Sequence, residues 1–183
     1  MRAGSSPPDD STLIGRIACG QQDALSQLYT IYRPRLRRYL WHQLNGNEAA
    51  VEDVLQEVFL AVWRSAPSYR GEAQVATWLF QIAHYQVLHL RRDRGRHPNG
   101  QLPDDGAGGH DGDWEATESH DSLEDSVLDR LALEDALSQL RPAHREALEL
   151  VFLQGFSQAE VSQILGVPPG TVKSRLSYAR RAL

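Results

Sequence analysis

Residues 99 to 125 cannot belong to a packed core. They hold nine acids (Asp104, Asp105, Asp111, Asp113, Glu115, Glu118, Asp121, Glu124, Asp125), no Lys or Arg, and five glycines at 100, 106, 108, 109 and 112. A segment so poor in apolar side chains cannot bury enough surface to offset the entropy lost on ordering it. It therefore reads as a flexible acidic linker over 96–125, either a plain solubilising tether or a functional strand that mimics nucleic acid. The linker divides the 183 residues into an N-terminal unit at 11–95 and a C-terminal unit at 126–183, each at the small end of the domain range. Residues 1–10 read as a disordered tail.

The C-terminal unit has the sharpest local chemistry. Ser157 and Glu160 have the spacing of a capping box, in which hydroxyl and carboxylate satisfy backbone donors at a helix start. Val161, Ile164 and Leu165 follow at i, i+3, i+4, and Gly166 supplies the left-handed residue that a helix end prefers. Pro168 and Pro169 mark a second start, because proline costs nothing in a first turn. On this second helix Val172, Leu176, Ala179 and Leu183 form the expected buried stripe. Thr171, Lys173, Ser174, Arg175, Ser177, Tyr178, Arg180 and Arg181 fall on other faces.

Helix, glycine turn and basic helix predict a helix-turn-helix that reads DNA. In that geometry the start of the second helix enters the major groove. Thr171, Lys173, Ser174 and Ser177 are then the candidates for base edges, with Arg175, Arg180 and Arg181 on phosphates. The competing reading is a solvated amphipathic helix of a generic bundle.

A net charge of -5 argues against a nucleic-acid partner only while the linker is counted. Without its nine acids the remainder carries 19 bases against 15 acids, a net of +4. The lone cysteine, Cys19, excludes an intramolecular disulfide and a thiolate zinc site. The seven histidines are scattered without ligand spacing, so neither metal nor cofactor is expected. No signal peptide and no apolar run approaching a membrane span is visible, so a cytoplasmic protein without membrane insertion is expected. No phosphate loop or nucleophile motif points to an enzyme.

The N-terminal unit reads as helical throughout. Leu13, Ile14 and Ile17, then Leu25, Leu28, Tyr29, Tyr32, Leu36, Leu40 and Leu44 keep a helical period that breaks near Gly20 and is perturbed at Pro34. Asn45-Gly46-Asn47 is a turn signal. After it Val51, Val54, Leu55, Val58, Phe59 and Val62 make a broad apolar face, with Asp53, Gln56, Glu57 and Leu60 on the opposite edge. That edge is either a docking ridge for a basic partner helix or a solvated face. A polar loop at 68–74 leads to a helix from Val75 into an arginine cluster. Leu79, Ile82, Ala83 and Leu90 are expected inside, as are the rings of Trp78 and Phe80 on the plainer reading. Gln81, His84, Tyr85 and His89 beside the arginines offer what unstacked single-stranded bases need: stacking faces, hydrogen-bonding edges and cations.

The runs Asp53-Val54-Leu55-Gln56-Glu57-Val58-Phe59-Leu60-Ala61-Val62-Trp63, Tyr69-Arg70-Gly71-Glu72, Thr77-Trp78-Leu79-Phe80-Gln81-Ile82-Ala83 and Gly166 through Leu176 together resemble the extracytoplasmic-function (ECF) class of bacterial sigma factors. The likeness covers both units in order. It implies that Asp53, Gln56, Glu57 and Leu60 bind the clamp helices of the largest catalytic polymerase subunit. It implies further that residues 69–92, with Tyr69, Arg70, Gln74, Thr77, Trp78, Gln81, His84, Tyr85, His89, Arg91 and Arg92, recognise the promoter -10 element and hold a base flipped from the non-template strand. Unstacking that base costs a few kcal/mol and is offset by a fitted pocket, so melting needs no ATP. The second helix of the helix-turn-helix would read the -35 element.

Family members commonly carry Arg and Asn where this chain has Gln81 and Tyr85. Tyr85 can stack but lacks an amide's paired donor and acceptor, which leaves the preferred -10 sequence open.

The expectation is thus an all-α protein of two small helical domains on a flexible acidic linker. It would act as a sigma factor with core RNA polymerase and with duplex and single-stranded promoter DNA as partners, held in check by an anti-sigma factor. Two alternatives stand beside it: a helix-turn-helix regulator that binds DNA without polymerase, and an adaptor that mimics these surfaces.

Overall fold

The computed structural model describes residues 9–95 and 140–182. The acidic linker and nearly all of the N-terminal tail lie outside the described residues. Every regular element among the described residues is helical. The N-terminal unit contains α1 (Asp10–Ala18), α2 (Gln22–Gln43), α3 (Glu48–Ser65), a 3-10 turn (Ala66–Ser68) and α4 (Val75–Gly95). The C-terminal unit contains α5 (Pro142–Leu148), a π segment (Glu149–Leu153), α6 (Gln158–Leu165) and α7 (Pro169–Ala182). No helix among the described residues is long and apolar enough to cross a membrane.

Asp10, expected in the tail, is instead the first residue of α1. Its carboxylate accepts the Tyr32 hydroxyl proton, tying α1 to α2. Burial, and then this carboxylate, push the Tyr32 phenol far above its ordinary range. The chain breaks after α1 at Gly20, whose φ of 80° is cheap only without a Cβ.

Pro34, where the helical period is perturbed, lies inside α2 without ending it. Pro34 is exposed, so the carbonyl its missing N–H leaves free can turn to water. Meanwhile Leu28, Leu36, Tyr39 and Leu40 on the other side are fully buried. Packing thus outweighs a local cost of about 3 kcal/mol.

The Asn45-Gly46 turn is left-handed at both residues, φ 52° and 72°. Asn47 then caps α3 by accepting from the Ala50 N–H at 3.1 Å. The six apolar residues of α3 named above are all buried.

In the C-terminal unit both halves of the capping box are present, and Gly166 ends α6 with φ 64°. Val172, Leu176 and Ala179 form the buried stripe of α7; Leu183 lies outside the described residues. The two units also pack against each other. α4 packs against α2 and α3 with one face and against α6 with another. Phe80 of α4 lies 4.9 Å from Phe156 and 5.3 Å from Tyr39, ring to ring, so one apolar cluster runs through both halves.

Candidate polymerase and promoter interfaces

Three surfaces carry the residues singled out above. On α3, Asp53, Gln56, Glu57 and Leu60 are all exposed. They flank a groove between α2 and α3 whose apolar wall includes Leu25, Tyr29 and Phe59. Tyr29 and Phe59 meet edge to face at 4.8 Å. Above them Arg33 and Arg37 pair with Glu52 at 3.2 and 3.3 Å, and Arg37 also holds Glu48. The basic side chains of this face are therefore already matched to Glu48 and Glu52, while Asp53 and Glu57 enter no ion pair among the described residues. An acidic, partly apolar ridge beside a groove suits a basic amphipathic helix.

The second surface is α4 with its leading loop. The Tyr69 hydroxyl donates to the Ala73 carbonyl at 2.6 Å and its ring lies 4.8 Å from Trp78, so the loop is braced before the helix starts. Burial, then Asp10 and Asp9, raise the Tyr69 phenol. Arg70, Gln74, Tyr85, His89 and Arg92 are exposed. Tyr85 is 56% exposed, free to present its ring for stacking. His89 Nδ1 sits 3.0 Å from the Asp93 carboxylate. Arg91 turns back, donating to the Gln43 carbonyl at 2.9 Å.

Two residues expected to face DNA are buried: Thr77 at 1% and His84 at 7% exposure. Thr77 donates to Glu160 at 3.3 Å, and Gln81 donates to the Gln163 carbonyl at 3.3 Å. His84 Nδ1 lies 2.7 Å from Glu146. All three contacts reach the C-terminal unit.

The third surface is α7. Lys173, Ser177, Tyr178, Arg180 and Arg181 are exposed, while Thr171, Ser174 and Arg175 are half-buried. The Ser174 hydroxyl donates back to the Thr171 carbonyl at 2.9 Å. Tyr178 stacks on His144 at 5.5 Å, and Arg180 lies 5.1 Å over the Phe152 ring. The helix thus presents a basic face whose inner side is fixed by the Val172 stripe.

The buried polar cluster between the two units was not foreseen. Glu146 accepts from Tyr39 and faces His84; Glu149 accepts from Gln43 at 3.0 Å and faces His42 at 3.1 Å. Burial alone would raise Glu146, but the His84 ring, the Tyr39 hydroxyl and Arg91 outweigh it and hold the carboxyl below its ordinary range. For Glu149 burial wins and the shift is upward. The signal was Glu149 inside the apolar run from Ala147 to Phe152 with Glu146 directly before it, a pattern that a solvated helix does not need.

Comparison with known proteins agrees with the geometry. The sigma-70 region 2 family pattern matches residues 28–97, and that of sigma-70 region 4 matches residues 130–183. The ECF RNA polymerase sigma factor SigL of Mycobacterium tuberculosis is 34% identical over 168 residues, covering 91% of this chain and 90% of the relative. The RNA polymerase sigma factor CarQ of Myxococcus xanthus is 34% identical over 160 residues, covering 87% of each. Among solved structures, the sigma factor RpoE in complex with the anti-sigma factor NepR from Bartonella quintana is 26% identical with a TM-score of 0.65, covering 86% of this chain and 92% of that one. CnrH in complex with the cytosolic domain of CnrY shares the fold, with a TM-score of 0.66 at 23% identity over 94% and 93% of the two chains. The chain belongs to the sigma-70 family of bacterial RNA polymerase sigma factors, in its ECF group.

Proposed function

We propose that this ECF sigma factor docks on core RNA polymerase through the α3 ridge and steers it to a subset of promoters with α4 and α7. The observation that carries the docking assignment is that Asp53, Gln56, Glu57 and Leu60 are all exposed on one edge of an otherwise buried helix, beside an open groove. Polymerase supplies the nucleotide chemistry; this chain supplies position, and it works in the cytoplasm where polymerase is.

On α7, Lys173 and Ser177 project from the groove-entering half of the helix, with Thr171 and Ser174 beside them and Arg180 and Arg181 toward phosphates. On α4, Tyr85 is the stacking ring and Arg70, Arg92 and His89 border the path of a single strand. The loop ahead of α4, with Tyr69, Arg70 and Gln74, and Trp78 beside it take the flipped base. Thr77, Gln81, His84 and Arg91 complete this face once they are uncovered. The structural relative bound to an anti-sigma factor supports a regulator of the same kind here.

The test is a pull-down with purified core polymerase. Asp53→Arg with Glu57→Arg abolishes association if the ridge is the dock; unchanged association removes that assignment. The reading of this chain as a DNA-binding regulator independent of polymerase predicts no association even for the unaltered protein.

A further inference from the structure

Phe152 stands 52% open to solvent although it lies in a helical segment rather than a loop. Amphipathic spacing does not put it there. In an unbroken α-helix Phe152 would fall four residues after the buried Leu148, on the same inward stripe. The chain closes a wider turn instead: the Gln154 N–H donates to the Glu149 carbonyl, five residues back, at 3.0 Å. One extra residue in the turn moves the stripe along by one, so Leu153 packs against the core and Phe152 turns outward.

The exposed ring meets a cation of the reading helix. Arg180 Cζ lies over the Phe152 ring, 5.1 Å from its centroid. Lys173, Ser177 and Arg180 recur at i, i+4, i+7 on α7 and all are exposed, so Arg180 ends the stripe assigned above to DNA. On the opposite flank of α7, Tyr178 stacks on His144 at 5.5 Å, the rings inclined by 11°. One helical segment, α5 with its π turn, thus holds both sides of the reading helix.

A guanidinium is planar, and a ring beneath its face leaves the N–H groups directed outward at the edge, where a phosphate is met. An arginine without such a support spreads over many rotamers, and ordering it on binding lowers affinity.

We infer that Phe152 is a positioning residue for DNA binding by α7: turned outward by the π segment, it holds the Arg180 guanidinium in the orientation that meets a backbone phosphate. The inference rests on the -35 assignment of α7. Phe152 acts through Arg180 and need not touch DNA itself.

The experiment titrates the full chain into a short fluorescein-labelled DNA duplex of randomised sequence, read by anisotropy at several salt concentrations. A randomised duplex suffices because a phosphate contact carries no sequence information. The variants are Phe152→Leu, Phe152→Trp, Arg180→Ala, and Phe152→Leu combined with Arg180→Ala.

Phe152→Leu keeps apolar bulk without a π face and should weaken binding about two- to fivefold, the range that an exposed cation–π contact supplies. Phe152→Trp, with a stronger π face, should bind at least as tightly as the parent chain. Arg180→Ala should weaken binding and flatten the salt dependence, and adding Phe152→Leu to it should change nothing further. A merely structural role for the ring would give the same loss from Phe152→Leu with or without Arg180, and that result overturns the inference. So does full affinity in Phe152→Leu, or Phe152→Trp no better than Phe152→Leu. Unaltered duplex binding by Phe152→Leu with weakened core polymerase association would make the ring a protein contact and also overturn it. Arg180→Ala with unchanged affinity and salt dependence removes the phosphate assignment beneath the inference, whereas a loss in Arg180→Ala alone removes only the role of Phe152.

Discussion

Glu146 Oε1 lies 2.7 Å from His84 Nδ1 and also accepts the Tyr39 hydroxyl proton, so a single buried carboxylate joins helices from both halves of the chain. Around it the aromatic rings of Tyr39, Phe80 and Phe156 close the apolar part of the same junction. The polar and apolar contacts between the two halves therefore meet at one place.

Phe80 is fully buried and touches rings from both units. Phe80→Ala leaves a cavity at the junction and costs about 3–5 kcal/mol. A urea titration followed by circular dichroism checks this through its midpoint. A shift smaller than about 1 kcal/mol would mean that the junction contributes little to the fold.

The capping box of α6 titrates. Hydrogen bonds from the Ser157 hydroxyl, opposed by partial burial, hold the Glu160 carboxyl below its ordinary 4.5. A depressed carboxylate contributes stability that is fully present above its unfolded pKa and is lost as pH falls through the folded value. Glu160→Gln, which keeps the cap's hydrogen bond but loses its charge, should cost about 0.3–1 kcal/mol at neutral pH, and its deficit against the parent chain should shrink as pH falls below 4.5 and through the lower folded value. Thermal melts across that range read the difference; a deficit independent of pH would place the effect elsewhere.

Gly166 holds φ at 64°, and a Cβ there would meet only the Tyr85 hydroxyl at an ordinary 3.7 Å. The cost of Gly166→Ala is accordingly one of backbone conformation, about 1–2 kcal/mol. Gly166→Asn, which tolerates the left-handed region, should recover part of it. Equal melting temperatures for the two variants would contradict a backbone origin.

On α7, Lys173→Ala should weaken promoter binding by about 1–3 kcal/mol and relax selectivity if Lys173 reads a base edge. Arg181→Ala should instead lower affinity on every sequence and flatten the salt dependence, as loss of a phosphate contact does. Anisotropy titrations on matched and scrambled -35 duplexes at several salt concentrations distinguish these outcomes.

Local chemistry made much of this fold legible. The capping box, the Gly166 turn and the apolar face of α3 are each encoded within one short stretch of chain, and the structure forms each of them. Pro34 lies inside α2 without ending it, because its local cost is outweighed by burial of Leu28, Leu36 and Leu40 elsewhere on the helix. The junction was not legible, because its partners are separated by 62 residues for His84 and Glu146 and by 107 for Tyr39 and Glu146. An amphipathic stripe reports one buried face. α4 has two, so Thr77 and His84 read as groups facing a ligand when in this structure they face the rest of the chain.

The most direct measurement is run-off transcription with purified core polymerase over a randomised promoter library. The account predicts transcripts that depend on this chain and start downstream of a shared pair of -35 and -10 elements, and that disappear with Asp53→Arg plus Glu57→Arg. DNA binding by the chain with no transcript from any template would contradict it.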